Sequence, residues 1–224
     1  MGFGIKLFFG NNISSSYAYV PISNTYSTGD VFFGSAYPTF FLNSSLLSAY
    51  PFFRQTIDHE IGHAVGLKHP HEPMGSYGTD TSGTTLPDTV TAYAKYDGHS
   101  TSAAIGYSHS MPTTLMVTDI AAMHYMYGKN MQYNASDTTY TLSSFSNKNY
   151  LYASIWDAGG KDTFSWADQS SISSINLNPG SYSFFGKISS QSDPDIYSTF
   201  SAGDGLMGIA YDAIIENAKG GSAS

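Results

Sequence analysis

Cysteine is absent from this 224-residue chain. No disulfide can staple it and no thiolate can hold a metal, which leaves imidazole nitrogens and carboxylate or carbonyl oxygens as the donors on offer. Charge is scarce as well. Asp, Glu, Lys and Arg make up 12% of the residues, about half the usual share in a globular sequence. The balance is acidic, with a net charge of −8, and Lys and Arg never form a run. A nucleic-acid interface and a polybasic membrane contact are therefore excluded as leading readings. Long apolar runs are missing too: no stretch approaches the roughly 18 residues of a spanning helix. Met1–Gly10 is apolar, yet it is too short and too poorly charged to read as a signal peptide.

What the chain does have is apolar and aromatic mass. Hydrophobic residues reach 41% and aromatic ones 15%, with 18 Tyr and 14 Phe, enough to build the core of one large domain or two small ones sharing an interface. Short extended runs come first, at Ile5–Phe9, Ala18–Val20 and the glycine-bracketed Gly29–Gly34. The period then changes. Phe53, Ile57, Ile61 and Val65 recur every four residues, behind Pro51 at a first turn and before Gly66 as a stop, which predicts a helix over 51–65. Residues 69 to about 110 carry no sustained period, and long stretches of that kind are usually functional or disordered. A second helix is predicted over Leu115–Tyr127, with Asp119 in its first half and Gly128 as its stop. Alternating runs at Tyr150–Trp156, Thr163–Trp166 and Ile172–Leu177 follow, separated by turn residues. The expectation is an α+β chain in two parts, 1–128 and an all-β unit over 129–224.

The chemistry concentrates in His59-Glu-Ile-Gly-His63-Ala-Val-Gly66-Leu-Lys-His69-Pro70. Residues four apart on a helix stack one turn above each other, so His59 and His63 point the same way. The Ile57, Ile61, Val65 stripe takes the opposite, buried side. Gly66 can adopt positive φ and turn the chain back, bringing His69 in as a third ligand. Three imidazoles leave one position of a zinc ion open, the arrangement of a catalytic site. Glu60 lies roughly 100° further round the helix, off the metal but within reach of water. It is the candidate general base that passes the proton on to a leaving amine. A lone His-Glu-x-x-His is weak, but the added Gly and third His make the full pattern far rarer by chance.

His-Glu-x-x-His-x-x-Gly-x-x-His is the metzincin motif, and the version ending in His69-Pro70 resembles the serralysin branch. Asp119–Gly128 is similar to the helix that closes the serralysin catalytic domain. Ile155–Phe164 and Ile214–Ser222 resemble stretches leading into that family's calcium-binding β-roll. The resemblance implies a metzincin-like catalytic part over 1–128 and the start of the C-terminal domain over 129–224. It implies zinc on His59, His63 and His69, with Glu60 as base. Thr89–Tyr93 falls on the family's methionine-containing turn, making Tyr93 the tyrosine that can ligate the resting metal and stabilise the oxyanion. It also implies calcium held by Asp157, Gly159 and Asp162 with carbonyls at Asn134, Ser136 and Thr138, where hard oxygen donors suit that ion. Implied too are a protein or peptide substrate, a monomer and an extracellular location, although the chain shows no secretion signal.

Three departures from the family pattern shape the expectations. Thr91 stands where the turn has its methionine, so the floor of the site should be looser and stability or activity lower, with the ligands kept. Only 58 residues precede His59, although Gly29–Gly34 still resembles the edge strand on which substrate pairs by β-addition. The chain ends at Ser224, before the Gly/Asp repeats would begin. Two rival functions follow: a degenerate, zinc-binding pseudoprotease, or a calcium-dependent adhesion module with a vestigial site. His71, His99, His109 and His124 read as bystanders, Met123 and Met126 as core packing, and Trp156 and Trp166 as core of the β-unit. Asp119 reads equally as a support of the site and as a helix start.

Overall fold

The computed structural model describes residues 4–21, 28–45, 51–70, 72, 85–86, 88–93, 111–141, 152–167, 173–185 and 205–222. Most of the irregular stretch 69–110, with His71, His99 and His109, lies outside the described residues.

The N-terminal runs form a three-stranded sheet of β1 (Lys6–Gly10), β2 (Tyr17–Ala18) and β3 (Asp30–Gly34). β3 is the middle strand, parallel to β1 with Lys6 opposite Asp30, and antiparallel to β2 with Tyr17 opposite Phe32. This corrects the expectation that Gly29–Gly34 is an edge. The reason lies in its two apolar faces. Val31 and Phe33 are fully buried on one side, while on the other Phe32 is stacked between Phe8 at 4.7 Å and Tyr17 at 4.6 Å. A strand apolar on both faces is stabilised most where it has neighbours on both edges. The edges are β1 and β2, and on β1 Leu7, Phe8 and Phe9 stay 39–40% exposed.

Against the buried face lie α1 (Tyr37–Phe41) and α2 (Pro51–Ala64). Tyr37 bridges them, its ring 5.0 Å from Phe33 and 5.1 Å from Phe53. Ile57 is buried among Val31, Phe33 and Ala64, with Ile61 packed alongside, so the four-residue stripe docks α2 on the sheet as its period implies. The helix ends in a two-bond C-terminal turn. Leu67 N–H donates to Gly62 O at 2.9 Å and Gly66 N–H to His63 O at 3.0 Å, with Gly66 at φ +109°. That φ is open to glycine and closed to most side chains.

α3 (Val117–Tyr127) starts two residues later than expected and stops at Gly128. Its last turn faces outward, leaving Met126 41% and Tyr127 64% exposed. Met126 is thus not core; its sulfur lies over Gly66.

The remaining strands are β4 (Thr139–Thr141), β5 (Tyr152–Ile155), β6 (Thr163–Ser165), β7 (Ser173–Ser174), β8 (Tyr182–Phe185), β9 (Gly205–Ile209) and β10 (Asn217–Lys219). They make a parallel three-stranded sheet in the order β10-β6-β4 and a mixed four-stranded sheet in the order β5-β9-β8-β7. Phe164 and Trp166 are fully buried in the core, whereas Trp156 is only packed against it. That cluster includes Ile120 of α3, and a second one joins Leu86, Val90 and Met116 to Tyr152 and Leu206. Apolar contact is therefore continuous across residue 128. Among the described residues no helix is long and apolar enough to cross a membrane.

Gly208 on β9 is tightly packed. A Cβ there would sit 2.6 Å from Val117 Cγ2 and 2.7 Å from both Ser154 Oγ and Tyr182 Cε1. Gly208→Ala should lower stability by about 1–3 kcal/mol through overpacking, read as a shifted urea midpoint with unchanged slope.

Candidate active site

His59 and His63 lie a turn apart on α2, and the glycine turn after it returns the chain so that His69 meets them. The three Nε2 atoms form a near-equilateral triangle, His59–His63 and His63–His69 at 3.0 Å and His59–His69 at 3.1 Å. Each Nδ1 is committed elsewhere. His59 Nδ1 donates to Val90 O at 2.9 Å, His63 Nδ1 to Leu67 O at 2.7 Å and His69 Nδ1 to Glu72 Oε1 at 2.9 Å. Carbonyl and carboxylate oxygens only accept, so the proton of each neutral ring is assigned to Nδ1 and the lone pair to Nε2. Three lone pairs then face one another across about 3 Å, a repulsive arrangement that a cation at their centre turns favourable. The spacing suits zinc–nitrogen bonds of about 2.0–2.1 Å. Burial lowers the pKa of His63, keeping that ring neutral and ready to ligate. Among the described residues this is the one cluster of three metal-competent side chains.

Glu60 borders a cleft of about 330 Å³ shared with Ser15, Ser16, His59 and Tyr93. It is 7% exposed, and burial pushes its pKa up to about 7, where a carboxyl group can both take and return a proton. Ser15 and Ser16 lead into β2, so the sheet edge at the cleft is β2. The Tyr93 ring lies 4.6 Å from His69 and runs parallel to His59 at 5.7 Å. Its pKa is raised, first by burial and then by the charges of Glu60 and Glu72, so the hydroxyl stays a donor.

Beneath the histidines runs the Thr89–Thr91 turn. Asp119 anchors it: one carboxylate oxygen accepts Val90 N–H at 2.8 Å and Met116 N–H at 2.9 Å, the other the Thr89 hydroxyl at 2.5 Å. Val90 O in turn accepts from His59 Nδ1 and from Gln55 Nε2. Asp119 thus starts α3 and, through Val90, orients a histidine. Thr91 is 1% exposed, and its hydroxyl donates to Lys68 O at 3.0 Å. Where a looser floor was expected, a hydrogen bond from Thr91 ties the turn to the residue before His69.

The other residue set also comes together. Thr138 N–H donates to Asp162 Oδ1 at 2.7 Å and Gly159 N–H to Asp157 Oδ1 at 2.8 Å. Tyr140 donates to Asp157 Oδ2 at 2.5 Å and accepts from Asn134. A Cβ on Gly160 would lie 2.6 Å from Ser136 C, so only glycine lets the two turns meet. Ser136 O and Thr138 O already accept from the Thr138 hydroxyl and Thr163 N–H. Among the described residues, Asp162 Oδ2 is buried with no hydrogen-bond partner.

With this geometry in view, the comparisons are specific. The family described as Peptidase M10 serralysin C terminal matches residues 117–224. Serralysin C of Dickeya chrysanthemi is 34% identical over 187 aligned residues, covering 76% of this chain and 35% of its own. The chain is a relative of the serralysins. Metallopeptidase AprA of Pseudomonas marginalis is 32% identical over 190 residues, at 76% and 36% coverage. Serralysin of Photorhabdus laumondii subsp. laumondii is 28% identical over 235 residues, at 97% and 45%. The chain thus spans between about a third and a half of the length of these relatives. The mixed α/β architecture with small sheets fits the same family.

Some of the site was not read from the sequence. Glu72 offered only its place three residues after His69, Gln55 its place four before His59. Val90 offered nothing, since it acts through its carbonyl. His124 is not in the cluster; its ring packs edge-on against Trp156 at 4.2 Å.

Asp119 generates a prediction. Burial outweighs its three hydrogen bonds and lifts its pKa to about 6, against about 4 in the unfolded chain. Between those values the native state binds more protons, so its contribution to stability is lost as pH rises from 4 to 6. In Asp119→Asn the amide oxygen can take both backbone N–H groups while the NH₂ donates to Thr89. Urea midpoints between pH 4 and 6.5 should therefore vary less with pH in that variant. Asp119→Ala strands three buried donors and should lower stability by about 3 kcal/mol.

Proposed function

We propose that this chain is a zinc endopeptidase of serralysin type, with a metzincin-like catalytic part over 1–128 and the start of the C-terminal domain over 129–224. The observation that carries this reading is the three Nδ1-locked imidazoles, whose Nε2 atoms converge beside a buried Glu60 in an open cleft. His59, His63 and His69 would hold the ion, which supplies a Lewis acid for attack on a peptide carbonyl. The chain's own groups do the rest. Glu60, with a pKa of about 7, accepts a proton from the attacking water and returns it to the leaving amine nitrogen. Tyr93 donates its hydroxyl hydrogen to the oxyanion. An extended protein or peptide substrate aligns along the β2 edge beside Ser15 and Ser16, adding a strand to the sheet. Action outside the cell fits this reading.

A second ion, calcium, belongs to the same proposal, held by Asp157 and Asp162 with oxygens from Asn134, Ser136, Thr138 and Gly159. The support is the buried, unpartnered Asp162 Oδ2, since an anionic oxygen out of water is costly without a cation. Asp157 is only 3% exposed beside it.

Zinc content by elemental analysis, with casein hydrolysis by the wild type and Glu60→Gln, tests the enzyme. One zinc per chain is expected in both proteins, with hydrolysis reduced about 10²–10⁴-fold by the substitution. Zinc without hydrolysis in the wild type would establish the degenerate reading instead, and no zinc would remove the central claim. For calcium, the thermal midpoint of the wild type should rise on addition of the ion. A concentration 100 times the dissociation constant adds about 2.7 kcal/mol. Asp162→Ala should abolish that response, and a wild type indifferent to calcium would end this part of the proposal.

A further inference from the structure

The three histidines differ in what steadies them. His59 and His63 stand on α2, each at 6% exposure, and each gives its Nδ1 proton to a backbone carbonyl. His69 follows the glycine turn and belongs to neither helix nor strand. Its Nδ1 proton goes to a side-chain carboxylate, that of Glu72 at 2.9 Å. The same two residues are joined a second time, Glu72 N–H donating to His69 O at 3.1 Å. His69 and Glu72 are thereby joined at both backbone and side chain.

We infer that Glu72 is a positioning residue, a carboxylate clamp that holds His69 with Nε2 toward the metal and strengthens that ring as a donor. The inference rests on the zinc reading of the site. Two physical effects support it. A side chain outside regular structure loses rotamer entropy when it ligates, and a bond that fixes the ring beforehand removes part of that loss. A carboxylate accepting from Nδ1–H also pulls that proton toward itself and leaves more electron density on Nε2, which a carbonyl does more weakly. Glu72 remains 42% exposed, so it packs little, and removing it should leave the fold intact.

The test compares zinc affinity, by competition with a chromophoric chelator at pH 7.5, for the wild type, Glu72→Gln and Glu72→Ala. Glu72→Ala should bind zinc about 10–100-fold more weakly, with an unchanged thermal midpoint for the zinc-free protein. Glu72→Gln keeps an acceptor but not the charge, and should fall between the two. The ¹⁵N shift of His69 Nδ1 in the zinc-loaded wild type should lie closer to the imidazolate value than that of His59 or His63, and should lose that offset in Glu72→Gln. A merely structural role would move neither the order of affinities nor the shift. If the wild type binds zinc and Glu72→Ala matches it within twofold, the clamp is wrong and the zinc reading stands. If the wild type takes up no zinc, both fall together.

Discussion

Everything around the candidate site depends on where three imidazole protons sit. With each Nδ1 hydrogen held by an oxygen, every ring is fixed in tautomer and rotation, and three Nε2 lone pairs point into one small volume. Without those bonds the rings could rotate, share protons and relax apart. With them the cluster could hold a cation with little further ordering. The holders are two carbonyls and one carboxylate: Leu67 and Glu72 from the segment that follows α2, and Val90 from a turn about 20 residues further on.

Those holders explain otherwise unrelated features of the fold. Val90 can present its carbonyl to His59 because Asp119 fixes the turn from the start of α3. Leu67 can present its own to His63 because Gly66, at positive φ, folds the end of α2 back on itself. Thr91 ties the turn to Lys68, next to His69. The apolar stripe of α2 sets the helix on the sheet through Ile57, and the opposite face then has to look into the cleft. Packing on one side of a single helix thus aims the chemistry on the other.

The C-terminal strands show the same use of polar groups in a more exposed setting. Two turns meet where Gly160 lies against Ser136, and each supplies backbone N–H groups to the other's carboxylates. Their apolar backing is shared with α3 through Ile120. The helix that anchors the Thr89–Thr91 turn is therefore also held by the core of the β-unit. A change in that core reaches Asp119 through one element.

Much of this was legible without coordinates because it is local. Helix period, the Pro51 start, the Gly66 stop and the offsets among His59, Glu60, His63 and His69 all depend on residues within a dozen positions of one another. The second helix and several of the short strands could be read in the same way, whereas the meeting of the turns around Asp157 and Asp162, which spans 24 residues, was read only through the family resemblance. What stayed hidden is non-local or lies in the backbone. The central place of β3 depends on partners 13 to 24 residues away on both edges. Val90 acts through a carbonyl that any residue would carry. The Glu72 contact needs the turn that brings its carboxylate to Nδ1. The double duty of Asp119 spans 29 residues. The sequence by itself determined which groups could do chemistry and on which helix face two of them lie. Tertiary structure decided that Val90 O holds the His59 proton, because that contact spans 31 residues, whereas Leu67 and Glu72 hold theirs from four and three residues away once the chain turns after α2.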